Sequence, residues 1–309
     1  MTNTTYTRNG AAATRAVPAA ADTVLPDGGR FGVRSMVAPL RRVLVRRPST
    51  TGDFAAAEWQ RPDPDLLVRQ HEKFCQLLAD LGCEVELANA ADGMVDATFM
   101  KDPGVVIGRG AVVFQMSKPV RRGESALFAA ALRAAGVPIT AELTGTARAE
   151  GGDILWLDPT NVLVGRGYRT NAEGVRRLRE IFDAEGVSVR SVDMPHDRGP
   201  LQVLHLTSVV SPVADDLAVV YPPLAPVPLM EELGARGVRV IPVPPDEYET
   251  LASNVLAVRP GVVVMVAGNP RTQAALESAG CEVHVYDGSE ISVKGVGGPT
   301  CLTGPILRS

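Results

Sequence analysis

A single cysteine lies in a glycine-rich stretch near the carboxyl terminus, "VKGVGGPTCLTGPILRS", residues 293–309. Cys301 could be structural, oxidisable or nucleophilic. A thiol becomes a useful nucleophile only when its thiolate is stabilised by a cation or a helix terminus. Glycines make a poor apolar pocket, so Cys301 fits a buried structural role less well than Cys75, Cys83 and Cys281 do. Cys301 is therefore the candidate nucleophile.

A histidine in "LQVLHLTSVVS" could supply the base that such a thiol needs. The flanking Leu204 and Leu206 predict that His205 lies in an apolar strand. In that setting the imidazole is either a hydrogen-bonded core group or the partner of Cys301 in covalent catalysis.

Four acidic residues interrupt otherwise apolar or glycine-rich sequence. Glu150 and Asp153 flank two glycines in "ARAEGGDILWL", and Asp96 and Asp102 bracket a hydrophobic stretch in "VDATFMKDPGVVI". Each of these carboxylates also fits an ordinary polar turn or a solvated loop. In a functional role they would orient a histidine or bind a cationic substrate.

Arginines occupy similar turns in two other stretches. Arg121 and Arg122 lead a predicted helix in "KPVRRGES", and Arg169 lies in "GRGYRTNAEG". A guanidinium binds a carboxylate through two parallel hydrogen bonds, although surface solvation is the plainer role. Carboxylates and arginines aimed at one cavity would suit a zwitterion with an extra cation, such as arginine or a derivative.

The elements that would position these residues recur along the chain. An apolar β-type run, a polar turn, an amphipathic helix ending in glycine and a second apolar run start near 110, 160, 215 and 260. Short runs such as "VVIGRG" and "DILWLD" precede the repeat and complete a ββαβ unit. A fifth unit is split, with "RRVLVRRP", a helix and "CEVELA" at the amino end and its missing strand in "ISVKGVGG".

Units of this size bury their apolar faces only against neighbours, so their repetition predicts a ring. The fold class is α/β, and the prediction is a pseudo-five-fold, five-bladed ββαβ propeller closed by the split unit. An open doubly wound sheet also alternates strands and helices and is the alternative. Residues 1–30 are expected to form a flexible arm, and residues 31–309 a single catalytic domain.

Bulk composition excludes several classes of protein. The 309 residues carry a formal net charge of −4, and the pI is about 5.7, which argues against nucleic-acid binding. The sequence has no apolar run suited to a secretory signal or a membrane span. The four cysteines lack zinc-ligand spacing and predict reduced thiols in a cytoplasmic protein.

Taken in order, eight strings resemble the guanidine-modifying enzymes of the five-bladed ββαβ propeller fold. The resemblance spans about residues 40 to 306 and is greatest to the dimethylarginine dimethylaminohydrolases. The strings that carry it are "DATFMKDP", "RRGE", "EGGDILWL", "GRGYRTNAEG", "VLHLTS", "NVLAV", "AGNPRT" and "GGPTC". Any one of them alone would be weak, but their order and spacing are specific.

The resemblance implies hydrolysis of dimethylarginine to citrulline and dimethylamine, with no cofactor and no metal. Cys301 would attack the guanidinium carbon and form a covalent thiouronium intermediate. His205 would protonate the departing amine and then activate water, and Glu150 would bind and orient the guanidinium.

The same resemblance implies four substrate-binding residues. Asp102 matches a second carboxylate that binds the guanidinium, and Asp96 matches one that holds the α-ammonium group. Arg121 and Arg169 match arginines that hold the α-carboxylate. The implied partner is a small guanidino amino acid, with no nucleic acid, no membrane and possibly a second copy in a homodimer.

Two departures bear on the alternatives: the first, at Lys101, keeps them open, and the second, after His205, argues against arginine deiminases and amidinotransferases. Lys101 stands where the family usually carries an acid, so it would weaken guanidinium binding or recognise a negative group on a different substrate. His205 is followed by "LTS" rather than the His-x-Asp of arginine deiminases and amidinotransferases. The alternatives are a related enzyme acting on arginine or another guanidine, as deiminase, dihydrolase or amidinotransferase, and a non-catalytic binding protein of the same fold.

The stretch "STTGDFAAAEWQRPDPD" lies where the family covers its substrate. Its Gly, Ala and Pro content suits a mobile flap. Phe54 and Trp59 are the candidate substrate contacts within it.

Overall fold

A computed structural model of the protein describes residues 29–309, so almost all of the predicted arm (1–30) lies outside the described residues. In the described part, the chain forms fifteen strands in five three-stranded sheets. The strands are β1 Leu40–Arg46, β2 Glu84–Ala88, β3 Gly104–Ile107, β4 Gly110–Val113, β5 Ile139–Glu142, β6 Ile154–Asp158, β7 Asn161–Arg166, β8 Ser188–Asp193, β9 Val210–Ala214, β10 Leu217–Val220, β11 Arg239–Pro242, β12 Leu256–Arg259, β13 Val262–Val266, β14 Glu282–Tyr286 and β15 Gly304–Arg308. The helices are α1 Pro64–Asp80, α2 Glu124–Ala134, α3 Ala172–Asp183, α4 Leu206–Val209, α5 Val227–Ala235, α6 Pro245–Tyr248 and α7 Pro270–Ser278. Among these helices, none is both long and apolar enough to cross a bilayer.

Four of the sheets repeat one connection. A first strand pairs antiparallel with the next, and a helix then leads to a third strand that lies parallel to the middle one. The middle strands β4, β7, β10 and β13 are the apolar runs from which the repeat was recognised. This pattern confirms the predicted ββαβ unit.

The fifth sheet joins the two ends of the described chain. β1 pairs antiparallel with β15 and parallel with β2, which confirms that this unit is split. The predicted position of its missing strand was wrong, because the strand is β15. The first three residues of "ISVKGVGG" instead belong to a π-helical turn, residues 289–293. The glycines serve close packing instead. A Cβ on Gly297 would lie 2.3 Å from the ring of Phe99.

The helices pack on the sheets through apolar residues at helical spacing. In α3, Val175, Leu178 and Phe182 are buried, and they belong to a cluster that includes strands of three sheets. The helix begins where the Asn171 side chain accepts a hydrogen bond from the Gly174 amide at 2.7 Å. Helix and sheet therefore bury each other's apolar faces, as the repeat requires.

One cavity, which we call the central cavity, is shared by all five sheets. The first strand of each unit (β3, β6, β9, β12 and β15) contributes to its lining. Since these five strands line one space, the residues that lead into them are brought close together.

Candidate active site

Each unit contributes one polar residue just ahead of its first strand. These residues are Asp102, Glu150, His205, Asn254 and Cys301. Imidazole Nε2 of His205 lies 2.8 Å from Oε2 of Glu150, and its Nδ1 lies 3.9 Å from Oδ1 of Asp102. The side-chain amide of Asn254 donates to Cys301 Sγ at 3.2 Å. The repeat thus gathers five chain-distant polar side chains in one place.

Three of these residues, Asp102, His205 and Cys301, line a second cavity, which we call the site cavity. Five of the seven predicted site residues line it: Asp96, Asp102, Arg121, His205 and Cys301. The remaining lining residues are Ala57, Glu58, Phe99, Lys118, Gln202, Val203, Gly295, Val296 and Gly297.

Glu150 lies behind His205 rather than on the cavity wall. Its side chain is fully buried, and besides His205 it accepts a hydrogen bond from the hydroxyl of Ser117 at 2.9 Å. The backbone at Gly152 packs closely against the imidazole, since a Cβ on Gly152 would lie 2.5 Å from the His205 ring. Contact between Glu150 and a guanidinium therefore stays a prediction, whereas its contact with the imidazole is present.

The expectation that His205 lies in an apolar strand was wrong. His205 is the N-cap of α4, and its amide is bound by the Ser208 hydroxyl at 3.1 Å. The next amide, of Leu206, donates to the buried Asp153 carboxylate at 3.0 Å. These side-chain bonds begin a helical turn where the apolar pattern alone predicts a strand.

Carboxylates keep His205 protonated in this setting. Burial alone would lower the pKa of His205, but Asp102, Glu150 and Asp153 together raise it to about 9. Burial would likewise raise the pKa of Glu150, but the hydrogen bond to His205 and its charge lower it to about 2. At neutral pH the pair is an imidazolium held by a carboxylate, so His205 can donate a proton towards the cavity.

Cys301 is a protonated thiol in the same state. Burial, followed by the charge of Asp102, raises its pKa to about 12, although the Asn254 amide opposes the shift. Thiolate formation therefore requires a further positive charge in the site cavity.

Asp102 provides a place for that charge. Its Oδ2 accepts from Arg121 Nη1 at 2.9 Å, whereas its buried Oδ1 has no hydrogen-bond partner among the described residues. Arg121 is also bound by Glu124, through a 2.8 Å bond from Nη2. Burial raises the pKa of Glu124 to about 7, although the charge of Arg121 opposes the shift. An unpaired carboxylate oxygen in a buried cavity favours a cationic ligand.

Arg169 is the one predicted site residue placed elsewhere. It lines a neighbouring cavity with Tyr168 and His196, and Gln202 belongs to the lining of both cavities. Its Nη2 donates to the backbone carbonyl of Gln202 at 3.1 Å, while its buried Nε has no partner in the described part of the chain. A carboxylate reaching from the site cavity could use that free donor.

The predicted flap covers the site cavity, but with other residues than expected. Ala57 and Glu58 line the cavity, and Glu58 pairs with Lys118 across it. Phe54 and Trp59 pack into a hydrophobic cluster instead, and Trp59 donates its indole N–H to Asp96 at 2.7 Å. The flap is thus tied to the site by one ion pair and one hydrogen bond.

Two strained backbone positions lie in the cavity wall. Glu58 has a φ of 66° and Val296 has a φ of 56°. A β-branched residue in this left-handed region is uncommon, and such strain concentrates at ligand-binding sites.

Lys101 does not face the site cavity, although it precedes Asp102. Its side chain is 7% exposed and lines the central cavity. Recognition of a negative group on a substrate in the site cavity does not fit this position. The predicted weakening of guanidinium binding stays a prediction, because burial lowers the pKa of Lys101 and the nearby charge of Asp102 opposes that shift.

Sequence reasoning missed Asn254, Glu58 and Lys118. Asn254 could have been found, since it occupies in the fourth strand-leading segment the position that Asp102, Glu150 and His205 occupy in the others. Nothing local distinguishes Glu58 or Lys118 from surface charges.

One group within residues 29–309 has the composition of a metal site. Ligand-type atoms of Asp102, Glu150 and His205 lie within 4.8 Å of one another. The hydrogen bond between Glu150 and His205 already accounts for this closeness.

The sequence is similar to that of a known protein family. A family profile described as N,N dimethylarginine dimethylhydrolase, eukaryotic, matches residues 63–308. The N(G),N(G)-dimethylarginine dimethylaminohydrolase of Streptomyces coelicolor is 30% identical over 268 residues, which are 86% of this chain and 96% of that protein.

Two solved structures are similar in fold. A mutant dimethylarginine dimethylaminohydrolase of Pseudomonas aeruginosa, complexed with citrulline, has a TM-score of 0.71 and 21% identity, over 86% of this chain and 99% of that one. The N-terminal domain of ArgZ, an arginine dihydrolase of Cyanobacteria, has a TM-score of 0.73 and 22% identity, over 86% of this chain and 96% of that one.

Proposed function

The chain belongs to the N,N-dimethylarginine dimethylhydrolase family, and from that premise we propose that it hydrolyses a methylated arginine to citrulline and a methylamine. The family acts on guanidino C–N bonds, within a superfamily that includes the arginine deiminases. The choice of dimethylarginine over arginine is our proposal.

One observation carries the proposal: a thiol, an imidazolium and an unpaired carboxylate oxygen meet at one buried cavity. Cys301, His205 and Asp102 all line it, and Asp102 Oδ1 has no partner among the described residues. A guanidinium bound to that oxygen would be held beside both the sulfur and the imidazole. Holding the reacting groups together removes much of the entropic barrier to attack on a resonance-stabilised carbon.

Apolar lining residues favour a substrate with aliphatic parts. Phe99, Val203 and Val296 share the cavity wall with the charged groups. They suit the methylene stem of arginine and the methyl groups of a methylated guanidinium, because burying apolar surface away from water is favourable.

The proposed reaction has two stages. The thiolate of Cys301 attacks the guanidinium carbon, and the carbon–nitrogen bond to the methylamine breaks as His205 donates a proton to that nitrogen. This leaves a thiouronium on the sulfur. His205 then takes a proton from water, whose oxygen attacks the same carbon, and the carbon–sulfur bond breaks to give citrulline and free Cys301.

The substrate itself would activate the thiol. The charge of Asp102 is one of the two causes that raise the pKa of Cys301. A guanidinium paired with Asp102 offsets that charge and adds a cation beside the sulfur, so both effects lower the thiol pKa. Glu150 would hold His205 in position and keep it charged.

The roles of the other predicted residues complete the proposal. Asp96 would hold the α-ammonium group, and Arg121 and Arg169 the α-carboxylate. In this structure Arg121 is bound by acids, so the unpaired Nε of Arg169 is the better-supported anchor.

The proposed fold is a closed five-bladed ring. Two observations support it: β15 joins β1, and the first strands of all five sheets line the central cavity. A single domain over residues 31–309 and a cytoplasmic location remain predictions.

A substrate panel tests the function. Purified protein is incubated with arginine, monomethylarginine, asymmetric dimethylarginine and agmatine, and the released amine and citrulline are identified by mass spectrometry. We expect dimethylamine and citrulline from dimethylarginine. Ammonia from arginine, with nothing from the methylated substrates, would replace the proposed substrate by arginine. No product from any of them would rule out a hydrolase of these guanidines.

A further inference from the structure

The central cavity carries two buried cations and no acid. Lys101 and Arg308 line it, and each side chain is 7% exposed. Among residues 29–309, no Asp or Glu belongs to its lining, and neither cation forms an ion pair. Buried charges are ordinarily paired, because isolating a charge from water is costly.

Lys101 has unused hydrogen-bond donors. An ammonium carries three N–H groups, and the Nζ of Lys101 makes no hydrogen bond to any other described residue. Arg308 donates to the carbonyls of Ala38 and Ala257, at 2.6 and 2.8 Å, and these neutral acceptors leave its charge unbalanced. The hydroxyl of Ser35, another lining residue, accepts from two backbone amides and keeps its own proton free.

The other hydroxyls of the cavity are already committed. Thr207 donates to the carbonyl of Gly152, Ser211 to that of Ser253 and Thr300 to that of Val255. The donors left for a ligand are therefore chiefly cationic, which selects a negatively charged ligand over a neutral one.

The size of the cavity is compatible with a small ligand. Its volume is about 40 Å³, and one water needs roughly 10–15 Å³ by this measure. A monatomic anion with one or two waters fits in that volume.

We propose that the central cavity is a binding site for a small inorganic anion of the halide class, held by Lys101 and Arg308. The site is separate from the site cavity, although it shares backbone segments with it. Lys101 and Thr300 line the central cavity, and their chain neighbours Asp102 and Cys301 line the site cavity. The ion would therefore lie beneath the segments that carry the thiol and the unpaired carboxylate.

Crystallography with bromide tests the site directly. Crystals of the unmodified protein are soaked in sodium bromide, and anomalous scattering locates the bound ions. We expect a peak within about 3.5 Å of the Lys101 Nζ, the range of an ammonium–halide contact. Bromide peaks at the surface only, with none in the central cavity, would overturn the proposal.

Thermal unfolding tests it in solution. The Tm is measured in sodium chloride and in sodium gluconate at equal ionic strength, since gluconate is a much larger anion than chloride. For Lys101→Met we expect the chloride-minus-gluconate difference in Tm to be about 2–4 °C smaller than for the unmodified protein. Lys73→Met removes an exposed lysine from α1 and should keep the full difference.

Each combination of the crystallographic and Tm results has one interpretation. A bromide peak without a chloride-dependent Tm would mean binding at crystal concentration only, and would also overturn the proposal. If Lys101→Met does not fold, the crystallographic result and the Tm of the unmodified protein still decide. Neither measurement uses enzymatic activity, so the outcome is independent of the proposed function.

Discussion

The site cavity and the central cavity share backbone segments but leave opposite charges unpaired. In the site cavity, Lys118 pairs with Glu58 and Arg121 with Asp102, and the unused atom is a carboxylate oxygen. In the central cavity, Lys101 and Arg308 find no carboxylate among the described residues, and the unused atoms are N–H donors. The first arrangement therefore favours a cation and the second an anion.

The change from one cavity to the other occurs between adjacent residues. Lys101 and Asp102 are adjacent, yet they belong to different cavities. Both residues lie in a turn just before β3, where successive side chains take different directions, so neighbouring positions can serve unrelated sites. The role of a charged residue therefore cannot be assigned from the sequence until the cavity that its side chain faces is known.

The largest expected effect comes from removing the nucleophile. Cys301→Ser should lower kcat by at least about 10³-fold, since covalent catalysis loses its attacking group. The control is Cys75→Ser, because Cys75 also lies near an imidazole, 3.6 Å from Nδ1 of His71, but outside both cavities. Equal activity of the two variants in a dimethylarginine assay would contradict the mechanism.

Removing the unpaired carboxylate should have the next largest effect. Asp102→Asn should lower kcat/KM by about 10²-fold or more, since the guanidinium loses its charged partner. It should also lower the pKa of Cys301, because the Asp102 charge raises it. Thiolate absorbance, titrated against pH and corrected with Cys301→Ser, measures the shift. An unchanged or higher thiol pKa would show that Asp102 does not set it.

The partner of the imidazole should control the pH profile. His205 must be protonated to donate to the leaving amine, so kcat should fall as the pH rises through about 9. Glu150→Gln removes a charge that raises this pKa, so the alkaline limb should move to lower pH, with about tenfold lower kcat at pH 8. An alkaline limb that stays in place would assign it to another group.

Arg169 tests whether the neighbouring cavity extends the site. Arg169→Ala should raise the KM for dimethylarginine by about tenfold, because a charged hydrogen bond to the α-carboxylate is lost. Agmatine lacks that carboxylate, so any turnover of agmatine should be unaffected. Equal changes in KM for both substrates would place the carboxylate elsewhere.

The smallest effect should come from Lys101, which lines the central cavity. Lys101→Met should change the KM for dimethylarginine by less than about threefold, because the Lys101 side chain does not line the site cavity. A tenfold or larger fall in KM would mean that Lys101 opposes guanidinium binding after all.

Much of the fold could be predicted from the sequence. The alternation of Val-rich runs with amphipathic helices fixed the ββαβ units, because apolar spacing reports local structure directly. The missing strand was misplaced, since "ISVKGVGG" has the β-branched residues of a strand but packs its glycines against aromatic rings. His205 was assigned to a strand for the same reason, although its capping bonds come from Asp153 and Ser208.

The candidate site could likewise be predicted only in part from the sequence. The carboxylates and arginines suggested an arginine-like ligand before any coordinates, and the resemblance to guanidine-modifying enzymes implied the roles of Cys301 and His205. The sequence could not decide which side of the backbone Lys101 takes, nor that Asn254 reaches the sulfur. Those facts depend on contacts between residues far apart in the chain. Local pattern is enough to specify strands and helices, whereas cavities form only when five sheets pack together.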